Sequence, residues 1–261
     1  MFDFHLHSKL SFDSICEPKD IILAAEQMGL REICFTDHYD FNSDKNAEHR
    51  IFTPEEYFSL YGHLTSDKLK IRRGIEYSLT EWDKSELKAV ERDFDPDYII
   101  GSVHFIDGLD PWQKEYWETR TVDEAFTDYL LGTLNCVKIH DSYDALGHIN
   151  YVCKSSSNPT KEPLRYKDYS DIIDEILKEL ISKGKGLEIN TSGVDRVGAF
   201  LPSVDYFRRF KELGGEIVTV GSDAHTADRV GQYTGDACRL LSEIFGYVCT
   251  FEKRKPIFHK L

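Results

Sequence analysis

The chain lacks the long apolar run that a membrane-spanning helix requires. No stretch approaches the roughly 18 consecutive apolar residues of such a segment. The first residues also lack the basic segment followed by an apolar core that is typical of a secretory signal peptide. Basic residues are in deficit, because 32 lysines and arginines face 46 aspartates and glutamates, and the net charge is −14. We therefore expect no membrane contact and no broad basic surface for nucleic acid.

Closely spaced cysteine pairs are absent as well. The six cysteines are scattered, and Cys34 and Cys249 lie inside apolar runs. Buried, reduced thiols are therefore expected, which suits a cytoplasmic location. No internal repeat, low-complexity tract or interdomain linker is evident, so residues 1–261 are expected to form one domain. We expect a monomer or a homodimer.

Short apolar segments alternate with amphipathic ones along the chain. Residues 168–182, for example, place apolar side chains on one face of a helix. Residues 105–138 form a longer, aromatic-rich insertion, expected to begin as a loop and to become helical near Val122. Strand and helix alternation of this kind predicts parallel βαβ units. The seven predicted strands lie near residues 1–7, 32–36, 69–77, 97–104, 144–149, 186–190 and 216–220.

Polar side chains with metal-binding chemistry follow the strands at the points where they end. Strand ends lie along a line in an open sheet, whereas in a closed barrel they ring one mouth. We therefore predict a distorted seven-stranded (β/α) barrel of the TIM type. The strand-end residues are His5, His7, His38, Glu76, His104, His148, Glu188, Asp223 and His225. The remaining histidines are expected at the surface, namely His49, His63, His140 and His259.

A pair of histidines separated by one residue opens this series. In a strand, His5 and His7 point to the same face and can offer two nitrogens to one metal ion. Such a pair alone is a weak signal, because exposed histidines near a terminus are common. Six histidines at equivalent strand ends, together with Asp13, Glu76 and Asp223, would however be very costly to bury without partners. Bound metal ions remove that cost.

The order of these segments resembles that of the PHP (polymerase and histidinol phosphatase) superfamily. The matching motifs are His5-Leu6-His7, Asp37-His38, Gly74-Ile75-Glu76, Gly101-Ser102-Val103-His104, Gly147-His148 and Gly221-Ser222-Asp223-Ala224-His225. Residues 97–105 and 188–193 resemble the monofunctional histidinol-phosphate phosphatase branch in particular. The resemblance spans residues 5–225 and implies a distorted (β/α)7 barrel that holds up to three divalent ions.

The resemblance also implies which residues bind these ions. The implied ligand sets are His5, His7, Glu76 and Asp223 for a first ion, Glu76, His104 and His148 for a second, and Asp13, His38 and His225 for a third. Many relatives carry histidine where this chain has Asp13. Mixed nitrogen and oxygen ligands suit zinc, iron or manganese, so two to three such ions are expected. Asp37, Glu188 and Asn190 are expected to orient the ligands.

The implied activity is metal-dependent hydrolysis of L-histidinol phosphate to L-histidinol and phosphate, in histidine biosynthesis. The metals would activate a water molecule as the nucleophile, with Glu76 as the bridging ligand. Protonation of the leaving group needs a general acid, and Asp223 and His225 are the candidates. A guanidinium binds phosphate through two hydrogen bonds. The candidate phosphate-binding residues are, in this order, Arg196, Arg165 and Arg229.

Three alternatives stay open. A PHP phosphoesterase could act on another small phosphomonoester or on a nucleotide. A stand-alone PHP module with a structural role would show degenerate ligand positions, whereas all nine positions are intact here. An amidohydrolase-type barrel usually relies on a metal-bridging lysine, and no lysine follows a predicted strand. Carboxylates and aromatic rings for substrate selectivity could come from residues 40–48, residues 82–86, or the insertion that contains Trp112 and Trp117.

Overall fold

Seven parallel strands follow one another in chain order around a single sheet in the computed structural model, which describes residues 1–41, 50–82 and 85–261. The strands are β1 (Phe2–Leu6), β2 (Glu32–Tyr39), β3 (Lys70–Ser78), β4 (Tyr98–Ser102), β5 (Ala145–Leu146), β6 (Gly186–Asn190) and β7 (Val218–Gly221). Helices connect them, so the predicted (β/α)7 barrel is confirmed. Of the residues expected at the surface, His49 lies outside the described residues, as do residues 42–48 and 83–84 of the two candidate selectivity loops.

Helices occupy the connections between the strands. They are α1 (Pro18–Gln27), α2 (Pro54–Tyr61), α3 (Glu86–Phe94), α4 (Lys114–Glu118), α5 (Val122–Ile139), α6 (Ser170–Ser182), α7 (Val194–Val197), α8 (Val204–Glu212) and α9 (Thr234–Ile244). Two of them begin with a capping box, in which Thr53 pairs with Glu56 and Thr121 with Glu124. The segment expected as a loop before Val122 contains the short helix α4.

The barrel closes between its first strand and the residues that follow its last strand. Leu6 pairs with Ala224, the backbone N–H of Asp223 donates to the carbonyl of His5 (2.9 Å), and that of His7 donates to the carbonyl of Ala224 (2.9 Å). We call this junction the seam. It places His5 and His7 directly beside Asp223, although the two segments lie near opposite ends of the chain.

An antiparallel hairpin packs against the barrel at the opposite end from the strand-end histidines. Its strands are β8 (Tyr247–Glu252) and β9 (Lys255–Lys260). The ring of Phe251 stacks on Tyr98, the first residue of β4, at 4.7 Å. The tight turn between the strands uses Lys253 and Arg254 at positive φ (48° and 63°), and such turns are normally signalled by Asn-Gly or Asp-Gly.

Burial follows the sequence-based expectations at most of the cysteines and departs from them at His140. Five cysteines are buried, Cys16 is half-buried, and all six thiols are free. His140 is buried rather than at the surface, because its Nε2 hydrogen bonds to the carbonyl of Thr80 (2.8 Å). Among the helices of residues 1–41, 50–82 and 85–261, none has both the length and the apolar character needed to cross a bilayer.

Candidate metal centre

The carboxyl ends of the strands surround a cavity of about 850 Å³. Six of the nine predicted metal ligands line it, namely Asp13, His38, His104, His148, Asp223 and His225. The other three, His5, His7 and Glu76, are fully buried next to them. All nine residues are therefore brought together at the mouth of the barrel, at the strand ends where (β/α) barrels carry their active sites.

Glu76 lies at the centre of this cluster. The strand register explains this position, because Glu76 of β3 pairs with His38 of β2. Glu76 Oε2 lies 3.2 Å from His5 Nε2, 3.5 Å from His7 Nε2 and 2.9 Å from His38 Nδ1. Its other oxygen, Oε1, lies 3.3 Å from His104 Nε2 and 3.0 Å from His148 Nε2. One carboxylate thus contacts five imidazoles, as a ligand that bridges metal ions would.

Two aspartates complete the cluster on the side of the seam. Asp223 Oδ1 lies 3.3 Å from His7 Nε2 and 3.7 Å from His225 Nδ1. Asp13 Oδ2 lies 3.2 Å from His225 Nε2 and 3.5 Å from His38 Nε2, and its side chain is 38% exposed. The members of each ligand set implied by the sequence therefore lie close to one another.

Within residues 1–41, 50–82 and 85–261, four groups of three residues bring one potential ligand atom each to within 4.8 Å of one another. They are His5, Glu76 and His148; His5, His7 and Asp223; His7, His38 and His225; and His38, Asp40 and His104. Asp40 was not among the predicted ligands. It follows β2 directly and is buried. Its position two residues after His38 was the only feature of the sequence that could have indicated a ligand here.

The donor atoms at the centre fit divalent metal ions. Among the described residues, these buried atoms of the cluster have no hydrogen-bond partner: His5 Nε2, His7 Nε2, His38 Nδ1, Glu76 Oε2 and His104 Nε2. A buried polar atom without a partner costs about 1–3 kcal/mol. Imidazole nitrogens and carboxylate oxygens are the donors that zinc, iron and manganese accept. A metal ion would therefore satisfy atoms that the polypeptide leaves unpaired.

A layer of hydrogen bonds behind the cluster fixes the orientation of the histidine rings. His5 Nδ1 lies 2.6 Å from Glu188 Oε1, and His7 Nδ1 lies 3.0 Å from Ser11 Oγ, whose hydroxyl donates to Asp37 Oδ1 (2.9 Å). Since a carboxylate only accepts, His5 donates from Nδ1 and keeps the lone pair of Nε2 for a metal. Asp37 and Glu188 thus occupy the positions expected of them, and Asn190 Nδ2 donates to Glu188 Oε2 (3.3 Å).

The buried charges act strongly on one another. Burial opposes protonation of His5, but nearby carboxylates, first that of Glu188, raise the pKa of its ring well above the usual value. Burial alone would raise the pKa of Glu76, yet the surrounding histidines hold this pKa well below the usual range. Burial and the neighbouring rings lower the pKa of His7 well below its usual value. Metal binding requires an ionised Glu76 and neutral imidazoles, so an ion that enters the cluster must displace the proton that the raised pKa keeps on His5.

The three candidate phosphate-binding arginines differ in their position relative to the cavity. The Arg196 guanidinium lines the cavity and lies 4.7 Å from the ring centroid of Trp112. Arg229 also lines the cavity, where it pairs with Asp195 (2.8 Å). Arg165 is not brought to the site, because its side chain is 57% exposed and pairs with Asp168 (2.8 Å). Its neighbour Leu164 is fully buried, which turns Arg165 outwards.

Lys154 is a cavity residue that the sequence analysis missed. It ends a short 3₁₀ helix (Tyr151–Lys154) that follows the two-residue strand β5. Its ammonium pairs with Asp223 Oδ2 and donates to Ser192 Oγ (3.2 Å), and its side chain is only 10% exposed. A lysine six residues beyond His148 carries no periodic signal, so only the fold reveals its position.

Known proteins resemble the chain over nearly its whole length. Residues 3–192 match the family model described as the PHP domain. The chain is 32% identical over 254 residues to a probable histidinol-phosphatase of Clostridium acetobutylicum, with 97% of this chain and 98% of the relative covered. It is 34% identical over 231 residues to the histidinol-phosphatase of Lactococcus lactis subsp. lactis, with 87% of this chain and 85% of that protein covered.

The fold also superposes on a solved structure. The crystal structure of histidinol phosphate phosphatase from Lactococcus lactis subsp. lactis matches with a TM-score of 0.86 and 31% sequence identity, over 98% of each chain. That enzyme was crystallised in complex with zinc, L-histidinol and phosphate.

Proposed function

The chain belongs to the PHP domain family, and on that premise we propose that it hydrolyses L-histidinol phosphate to L-histidinol and phosphate. The observation that carries the proposal is the convergence of nine histidine, aspartate and glutamate residues at a cavity that also contains cationic side chains. Support for the substrate comes from two relatives more than 30% identical that are histidinol-phosphatases, one of them designated probable. It also comes from the Lactococcus lactis enzyme, which binds L-histidinol and phosphate.

We propose that two to three divalent ions bind here, held by the three ligand sets described above, with zinc as the first candidate because the Lactococcus lactis enzyme contains it. When bound, such ions lower the pKa of a water molecule and neutralise negative charge on a phosphoryl group. Glu76 is the residue that every set at the centre shares or touches. Its ionised carboxylate would therefore serve as a ligand common to the ions that these sets hold.

The phosphate dianion would be held by the cations of the cavity. Lys154, Arg196 and Arg229 line it, and their positive charges attract an anion into a protein whose net charge is −14. Lys154 lies nearest to the ligand cluster, because it contacts Asp223 directly. Ser192, which accepts a hydrogen bond from Lys154, keeps the ammonium oriented towards the cavity. Arg196 then approaches from the wall formed by Trp112.

The leaving alkoxide must receive a proton. His225 and Asp223 are the titratable groups best placed to supply it, since both line the cavity and lie 3.7 Å apart between His225 Nδ1 and Asp223 Oδ1. His225 is the more accessible of the two, with a side chain that is 29% exposed, against 4% for Asp223.

Steady-state hydrolysis of a panel of phosphomonoesters by the metal-loaded protein tests the proposal. We expect kcat/KM for L-histidinol phosphate to exceed that for p-nitrophenyl phosphate and glycerol 2-phosphate by at least tenfold. Metal analysis of the same sample should give about two to three ions per chain, as the ligand sets imply. Equal rates across the panel would leave only a general phosphomonoesterase, and no hydrolysis by the metal-loaded protein would contradict the proposal.

The quaternary state and the cellular location stay predictions. Light scattering on the purified protein should give the mass of a monomer, 30.2 kDa, or twice that mass. Fractionation of producing cells should recover the protein with the cytoplasm.

A further inference from the structure

Asp40 is a buried carboxylate of the cavity that belongs to none of the three ligand sets implied by the sequence. Its Oδ1 lies 3.3 Å from His104 Nδ1, and its Oδ2 lies 3.6 Å from a guanidinium nitrogen of Arg50. The backbone N–H of Asp40 also donates to the carbonyl of Arg50 (3.0 Å). The carboxylate therefore lies between a cation on one side and a proposed metal ligand on the other.

The guanidinium of Arg50 holds this carboxylate in place. It lies 4.7 Å from the ring centroid of Phe12 and 5.3 Å from that of Phe105, so two aromatic rings confine it. The side chains of Arg50 and Asp40 are 15% and 2% exposed, and water and salt screen a charge pair at this depth less than a surface pair. Because Oδ2 of Asp40 faces this cation, Oδ1 is the oxygen that faces His104.

The ring of His104 can offer a lone pair to one metal ion only. Its Nε2 lies 3.3 Å from Glu76 Oε1, and this buried nitrogen has no hydrogen-bond partner in the described part of the chain. A neutral imidazole has a single lone pair, so an Nε2 that binds the ion shared with Glu76 and His148 leaves the hydrogen on Nδ1. Nδ1 then donates this hydrogen to Asp40 Oδ1. Asp40 is thus an acceptor for His104 rather than a metal ligand, although its oxygen lies within 4.8 Å of potential ligand nitrogens.

The two histidines of the second ligand set differ in their outer hydrogen bonds. His148 Nε2 lies 3.0 Å from Glu76 Oε1, but its buried Nδ1 has no partner within residues 1–41, 50–82 and 85–261. In the first set, by contrast, Glu188 and Ser11 contact the Nδ1 atoms of both histidines. The orientation of the histidines around the second ion therefore depends on Asp40 more than that around the first ion depends on any one residue.

Resting on the proposed function, in which divalent ions occupy this cluster, we infer that Asp40 is a positioning residue for the second ion and acts through His104. Its hydrogen bond fixes the plane of the imidazole and keeps the Nε2 lone pair directed towards Glu76. A carboxylate partner also makes the imidazole a stronger donor to the metal. Substitution of such partners lowers metal affinity by about 10–100-fold.

Zinc titration of the chelator-treated protein, in competition with a chelating dye, tests the inference. In Asp40→Ala we expect one ion per chain to bind at least tenfold more weakly and the other ions to stay within threefold of wild type, because only the second set contains His104. Asp40→Asn keeps an acceptor oxygen but loses the charge. It should bind the same ion at least threefold more weakly than the wild type and at least threefold more tightly than Asp40→Ala. At saturating Zn²⁺, both variants should hold as many ions as the wild type.

The matched control is Asp195→Ala. Asp195 also lines the cavity and pairs with an arginine, and its side-chain partners in the described part of the chain are Arg229, Gln232 and Tyr233, none of which is a proposed metal ligand. Its zinc affinities should stay within twofold of wild type.

Three outcomes would overturn the inference while leaving the proposed function intact. The first is a set of zinc affinities within twofold of wild type in either Asp40 variant. The second is an equal loss in Asp40→Ala and Asp40→Asn, since the acceptor oxygen would then have no effect. The third is one ion fewer at saturation in both variants, which would make Asp40 a ligand. A wild type that binds no zinc contradicts the proposed metal-dependent function instead.

Discussion

The carboxylate of Asp3 accepts two hydrogen bonds from Ser222, one from the backbone N–H (2.8 Å) and one from the hydroxyl (2.5 Å). Asp3 lies on β1, and Ser222 immediately precedes Asp223 in the loop after β7. The same carboxylate accepts the N–H of Gly231 (2.8 Å), further along that loop. Asp3 is fully buried, and its charge is held by these donors. The first strand thus fixes the position of the last ligand-bearing loop.

Removal of this carboxylate should loosen the seam. In Asp3→Ala, the N–H groups of Ser222 and Gly231 lose their acceptor in a buried position, at about 1–3 kcal/mol each. We expect the free energy of unfolding of the metal-loaded protein, measured with urea, to fall by about 2–4 kcal/mol. Asp67→Ala serves as the control, because Asp67 is exposed. Equal stabilities of the two variants would show that the seam does not depend on Asp3.

Glu76 and Asp13 should differ sharply in their contributions to catalysis. Glu76 contacts five imidazoles, whereas the histidines that Asp13 contacts in the described part of the chain are His38 and His225, at the cavity mouth. We expect Glu76→Gln to lower kcat by more than about 100-fold, because a neutral amide bridges metal ions poorly. Asp13→Asn should lower it less. The assignment would be contradicted by losses below tenfold for both variants, with metal content measured on each sample.

Two arginines that were both candidates for phosphate binding in the sequence should differ in their effect on kcat/KM. Arg196 lines the cavity, whereas Arg165 pairs with Asp168 at the surface. Loss of charge-assisted hydrogen bonds to phosphate costs about 2 kcal/mol, so Arg196→Ala should lower kcat/KM about 30-fold for all phosphomonoesters alike. Arg165→Ala should stay within twofold of wild type. A larger loss of kcat/KM in Arg165→Ala than in Arg196→Ala would show that Arg165 binds the phosphate.

Metal removal should destabilise the protein as well as inactivate it. Among the described residues, five buried donor atoms of the cluster have no hydrogen-bond partner without an ion, so metal ions that bind only the folded state contribute directly to its stability. After chelation and dialysis, we expect loss of phosphatase activity and a fall in Tm of more than about 5 °C in scanning calorimetry. Added zinc should restore both. A chelated sample, free of metal by elemental analysis and fully active, would contradict the metal-dependent reaction.

The sequence predicted the parts of the site that strands position. His5 and His7 lie two residues apart at the end of β1, on one face, and Glu76 and His38 lie at equivalent points of neighbouring strands, so strand geometry alone brings them together. Lys154 was not predicted as a site residue, because it lies on a one-turn helix that has no periodic pattern. Arg165 was wrongly expected at the site for the same reason. The direction of the Arg165 side chain depends on the burial of Leu164, and no local sequence motif indicates that burial.

The seam joins two segments that are synthesised far apart in time. A ribosome adds about 5–20 residues per second, so roughly 10–45 seconds separate the appearance of His5 from that of Asp223. During this interval His5 and His7 form an incomplete chelating pair on a nascent chain, because the loop that Asp3 anchors has not yet emerged. Truncated products that stop before residue 223 should therefore retain metal poorly. Retention of metal thereby distinguishes chains translated past the seam from prematurely terminated ones.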